Sequence, residues 1–136
     1  MAVCALIHAT SMVFIGELLL KSRRKFGERP GLVASAILLS SVFGIIILLH
    51  LADVIIWAIT YYSLGLLNNF RTSLDFSLGS YTTNSAPGIQ LPDVWKPLGQ
   101  LESIAGALLL GLSTAFLFFV LQKMFEIRQV ASQKKS

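Results

Sequence analysis

His50 and Asp53 lie three residues apart within a long apolar run, so on a helix they share one face. An imidazole beside a carboxylate can move a proton or ligate a metal. Ionisable groups in such a run must face protein or water, because facing lipid is costly. Two groups make a poor metal site, and no third ligand is evident nearby, so no metal and no cofactor are expected. The plainer reading is a hydrogen-bonded pair that fixes helix contacts. His8 stands in a different apolar run. Two histidines on separate helices could in principle ligate haem or a pigment, but a structural role is again the plainer one. Glu102 falls in the first turn of the last apolar run, where it is expected to cap backbone amides or, alternatively, to pair with His50. Glu17 stands four residues before Lys21, a spacing that pairs them on a helix. Cys4 is the one cysteine, which excludes an intrachain disulfide and a cysteine metal cage and leaves a small hydrophobe.

Catalytic patterns are missing from the sequence. It holds no nucleophile with recognisable local context, no HExxH and no glycine-rich phosphate loop, so an enzyme is not expected. The net charge of +4 does not point to nucleic acid. Its basic residues cluster at the ends of apolar runs, where they set topology, and no aromatic residues interleave with them.

The elements that must position these groups are membrane helices. The chain has 136 residues, 54% of them hydrophobic, and long runs nearly free of charge. Residues 3–20 are read as a retained first helix, since the basic residues Lys21, Arg23, Arg24 and Lys25 follow the run and none precedes it. Residues 21–31 form a basic loop, cytoplasmic by the positive-inside rule, with Pro30 suited to the first turn of the next helix. Residues 32–62 are a long second run, in which His50, Asp53, Trp57 and Tyr61 make one stripe; Trp57, Tyr61 and Tyr62 are expected near the outer interface. Residues 98–122 are the third run, with Trp95 before it. Ser103, Ala107, Gly111 and Ala115 recur every four residues along it, a small-residue stripe that allows close helix approach. The tail from Lys123 is basic. The expected fold is therefore an all-α integral membrane protein with three transmembrane helices, placed in a bacterial inner membrane with the N-terminus outside and the C-terminus cytoplasmic. It divides into a first helix and loop (1–31), a pore-like unit (32–122) and a tail (123–136).

Between the second and third runs lies a polar, turn-rich stretch, residues 72–92. Its first part predicts a short helix, with Thr72 as cap and Asp75 completing a capping box. Pro87 ends any helix in its second part. A helix followed by irregular backbone between two spans predicts a re-entrant loop, tolerated at membrane depth only when buried in protein or lining water.

The string from Leu74 to Thr83, LDFSLGSYTT, resembles the pore helix of a potassium-channel pore domain, and the chain is similar to small bacterial two-transmembrane ion-channel proteins over about residues 50–122. That resemblance implies a tetramer around an axis. It also implies a selectivity filter over Thr82, Thr83, Asn84, Ser85, Ala86, Pro87 and Gly88. The family's filter continues Thr-x-Gly-Tyr-Gly-Asp, with backbone carbonyls that replace the hydration shell of K⁺. Here Ser85 and Pro87 stand at the glycine positions and Ala86 at the tyrosine. Proline fixes φ near −65° and cannot take the place of a positive-φ glycine. The expected function is accordingly a channel-like scaffold that has lost K⁺ selectivity and conduction. It would serve as an accessory or structural subunit among membrane lipid and other membrane-protein subunits. The alternative is a homotetrameric cation channel with a poorly selective filter.

Overall fold

The computed structural model describes residues 2–25, 32–84 and 86–133. They form α1 (Ala2–Lys25), α2 (Leu32–Ser63), α3 (Phe70–Tyr81), a single 3-10 turn (Asp93–Trp95) and α4 (Lys96–Gln133), with no strand among the described residues. Helix α2 has 32 residues and α4 has 38. At 1.5 Å per residue these reach about 48 Å and about 57 Å, against roughly 30 Å of hydrocarbon in a bilayer. Both are long and apolar enough to cross a membrane, whereas α1 carries a shorter apolar stretch, Val3–Glu17.

Several boundaries differ from the sequence reading. Helix α1 continues through Lys21 to Lys25, so the basic segment begins as helix; long basic side chains are good helix formers. The loop residues 26–31, including Pro30, and the filter-equivalent Ser85 lie outside the described residues. The tail is helical as far as Gln133. Asn69, not Thr72, caps α3: its Oδ1 accepts from the Thr72 backbone N–H at 2.8 Å and from the Thr72 hydroxyl at 2.9 Å. Asn69 has the extended backbone an N-cap needs, and asparagine ranks with the best caps. Asp75 is left exposed.

Helices α2 and α3 end in the same way. After α2, Leu66 N–H bonds Tyr61 C=O and Gly65 N–H bonds Tyr62 C=O, with Gly65 at φ +66°. After α3, Asn84 N–H bonds Gly79 C=O and Thr83 N–H bonds Ser80 C=O, with Thr83 at φ +56°. Both are Schellman reversals, which place a left-handed residue just past the helix. Gly65 takes that conformation freely, while a β-branched threonine takes it at a cost of about 1–2 kcal/mol. Thr83→Gly is therefore expected to stabilise the fold by about 1 kcal/mol, read as a higher unfolding temperature in detergent. No gain would mean that Thr83 is not left-handed.

Helix α3 wedges between α2 and α4 by means of small residues. Its buried face is Ser73, Ser77 and Tyr81, one residue per turn. Gly99 of α4 lies against the Phe76 ring, and Gly106 lies so close to the Tyr81 carbonyl that a Cβ there would sit 2.2 Å from its oxygen. Trp57 and Tyr61, expected at an interface, are buried among Cys4, Val54, Leu67, Tyr81, Leu91 and Leu109. The wedge of α3 covers their side of α2, and the Phe76 ring meets Tyr61 edge-on at 5.1 Å. Tyr62 stays exposed. A second cluster joins Ile15, Val42 and Ile46 with Phe116 and Leu117 toward the other end. Outward faces carry large apolar side chains such as Leu48, Ile55, Leu108 and Phe118, the pattern of helices that meet lipid or another apolar surface.

Candidate functional site: a buried ring and a folded-back loop

All four helices contribute one or two polar side chains to a single buried ring. His8 Nδ1 of α1 lies 2.9 Å from Asp53 Oδ2 of α2. His8 Nε2 lies 3.3 Å from the Ser113 hydroxyl of α4, which lies 3.1 Å from His50 Nε2 of α2. His50 Nδ1 lies 2.8 Å from the Tyr81 hydroxyl of α3, and that hydroxyl closes the ring on Asp53 Oδ2 at 3.2 Å. The two imidazole centroids are 4.6 Å apart. His8 and Asp53 have no exposed surface, and Ser113 and Tyr81 have almost none.

The proton count of this ring is constrained. Five links join five groups, and each link needs one hydrogen. Ser113 and Tyr81 supply one each, so His8, His50 and Asp53 must supply three. An ionised Asp53 with two neutral imidazoles supplies two. The complete ring thus holds one further proton, on either imidazole or on the carboxyl, and its net charge is zero. Neutrality is what a low-dielectric interior favours, since an uncompensated charge there is costly.

The sequence reading is corrected here in two respects. His50 and Asp53 are not bonded to each other; each reaches groups on other helices. A third potential ligand does exist, because His8 brings its nitrogen to the pair, and one ligand atom from each of His8, His50 and Asp53 lies within 4.8 Å of the others. The 45-residue separation of His8 and Asp53 left no local signal of this contact.

Glu102 belongs to a second knot and neither caps α4 nor meets His50. Its Oε2 accepts from the Tyr61 hydroxyl at 2.6 Å, and its Oε1 is bonded to Ser77. The Ser77 hydroxyl also lies 2.9 Å from the Val54 carbonyl. Ser77 has one hydrogen and two acceptors, so both bonds form only if Glu102 donates from Oε1 while Ser77 donates to Val54. A primary amide has the same donor and acceptor in the same place. Glu102→Gln is therefore expected to cost under about 1 kcal/mol, whereas Glu102→Ala, which strands the buried Tyr61 hydroxyl and takes one of its two partners from Ser77, is expected to cost about 2–3 kcal/mol. Thermal unfolding of the two variants in detergent separates these outcomes.

The filter-equivalent segment folds back on α3. Thr82 N–H bonds Leu78 C=O, and with the reversal at Thr83 the carbonyls of Leu78, Gly79 and Ser80 are all taken by the chain itself. The Thr82 hydroxyl also donates to Leu78 C=O. Gly79 faces the Asn84 carbonyl and the Ala86 backbone so closely that a Cβ would fall 2.6 Å from Asn84 O. Ile89 N–H bonds Ala86 C=O with Gly88 at φ +80°, so Ala86-Pro87-Gly88-Ile89 has the pattern of a type II turn.

Of the small-residue stripe, Ser103 donates to the Ser80 carbonyl at 2.7 Å. Ala107, Gly111 and Ala115 lie on the exposed face of α4. The inward face instead runs through Gly99, Glu102, Gly106, Leu109 and Ser113, an alternation of three- and four-residue steps. Ser113 and Tyr81 are the ring members that sequence reasoning missed. Ser113 stands eleven residues from Glu102, three helical turns along the same face, which was the available signal. As expected, Glu17 and Lys21 pair, at 3.8 Å on the surface. No protein-family model matches the chain, and neither the curated proteins nor the solved structures offer a match to it.

Proposed function

We propose that the chain is an integral membrane protein in which α1, α2 and α4 cross the bilayer and α3 is a re-entrant helix held between the last two. In this reading the N-terminus lies outside, the C-terminus is cytoplasmic and the membrane is a bacterial inner membrane. The scaffold is that of a potassium-channel pore domain that does not conduct, and the protein acts as an accessory or structural subunit of a larger membrane complex. One observation carries this: the reversal at Thr83. A K⁺ filter needs an extended backbone whose carbonyls stack toward an axis. Here the segment after α3 turns back at once, and the last carbonyls of α3 accept hydrogen bonds from it. The apolar outer faces of α2 and α4 offer surface to lipid and to partner helices.

Reconstitution into liposomes tests the reading. The expected result is no K⁺ or Na⁺ flux above empty vesicles, and an oligomeric mass in mild detergent that is not a homotetramer. A homotetramer passing K⁺ selectively would overturn it. A homotetramer passing both ions would replace it with a poorly selective channel.

A further inference from the structure

The ring joins two helices whose polar spacing is that of a bundle metal site. On α1, Cys4 and His8 are four residues apart; on α2, His50 and Asp53 are three apart. Each pair thus occupies one face of its helix, and the two faces meet. Cys4 is buried in the same core cluster as Val54 and Tyr81, beside the ring. Asp53 Oδ2 serves the ring, but Oδ1 is buried with no hydrogen-bond partner among the described residues. A buried acceptor left in that state carries the desolvation cost of a lost hydrogen bond, and a coordinated cation would remove that cost.

We propose that Cys4, His8, His50 and Asp53 form a binding site for a divalent transition-metal cation of the zinc type. The donor set of one sulfur, two nitrogens and one oxygen suits a four-coordinate ion of borderline softness better than Mg²⁺ or Ca²⁺, which prefer all-oxygen cages. Charge favours it as well. The empty ring is neutral with its one extra proton, and the thiol is neutral with its own. Binding one M²⁺ releases both protons and leaves a thiolate, a carboxylate and two neutral imidazoles around the ion, again with zero net charge. The exchange of one cation for two protons adds no charge to a buried site. Ligand atoms of His8, His50 and Asp53 within 4.8 Å of one another need side-chain shifts of roughly 1 Å to reach the edges of a tetrahedron with bonds near 2.1 Å, and the Cys4 thiol, which lies outside that group, must swing in from one turn before His8. Tyr81 and Ser113 would remain as the hydrogen-bond partners that orient the imidazoles. This site does not depend on the fate of the loop.

The test is titration of the full-length, chelator-treated protein in detergent with Co²⁺ and then Zn²⁺. One Co²⁺ per chain is expected, with the visible absorption of four-coordinate cobalt and a thiolate charge-transfer band in the near ultraviolet. Two protons per metal should appear in a lightly buffered dye assay, and Zn²⁺ should bleach the spectrum. Cys4→Ser keeps size and polarity; it is expected to retain native helix content, lose the charge-transfer band and weaken binding more than about tenfold. His8→Gln should lose the visible bands. Absence of saturable binding would overturn the proposal, as would an unchanged spectrum and affinity in a folded Cys4→Ser protein.

Discussion

Replacing Gly106 with alanine is expected to unseat α3 from α4 and to destabilise the protein by about 3 kcal/mol or more. The added Cβ would lie 2.2 Å from the Tyr81 carbonyl oxygen and 3.1 Å from its carbon. These are backbone atoms at the end of a helix, so no rotamer change can move them aside. Relief requires translating α3, and that would pull Tyr81 away from both His50 and Asp53. Gly111→Ala is the control, because no described atom lies within 4 Å of a Cβ at that position. On an exposed helical face that change should be neutral or stabilising by up to about 1 kcal/mol. Unfolding in detergent should thus separate two chemically identical substitutions on the same helix. Equal tolerance of both would mean that α3 does not approach α4 at Gly106.

Asp53→Ala is expected to cost about 3–5 kcal/mol, the range for removing one partner of a buried ion pair. His8 is fully buried, and its Nδ1 has Asp53 as its partner at 2.9 Å. Without the carboxylate, the ring loses two of its five links and the Tyr81 hydroxyl loses an acceptor. Asp53→Asn keeps an oxygen acceptor and removes the charge, so its cost should be smaller, about 1–2 kcal/mol. The ordering matters more than either value. A penalty for asparagine as large as for alanine would indicate that the charge, rather than the count of hydrogen bonds, sets the stability of the ring. Chemical denaturation of the three proteins side by side makes the comparison.

How much of this was legible in the sequence follows the range of the interactions. The long apolar runs over α2 and α4 and the short helix before the loop are local signals, and each element is present. The cap of α3 was misplaced by three residues because Asn69 and Thr72 are both good caps, and only the backbone reveals which one is extended. The His50, Asp53, Trp57 and Tyr61 stripe was visible as a stripe, but its neighbours were not. Periodicity gives the face a residue occupies on its own helix and says nothing of what another helix brings to that face. His8, Tyr81 and Ser113 come from three other helices, with sequence separations of 45, 28 and more residues. Glu102 shows the same limit: its place in the first turns of α4 suggested a cap, while the wedge of α3 set Tyr61 and Ser77 against it. The small-residue stripe on α4 illustrates a further one. Two small-residue faces exist on that helix, and the four-residue repeat marks the one that, beyond Ser103, is exposed.

The path of residues 82–84 is tested most directly by an experimentally determined structure of the protein in lipid nanodiscs. The fold described here predicts a left-handed Thr83 and the Asn84 N–H on the Gly79 carbonyl. Four chains about a common axis, with the Thr82 and Thr83 carbonyls in an extended strand facing bound K⁺, would contradict it.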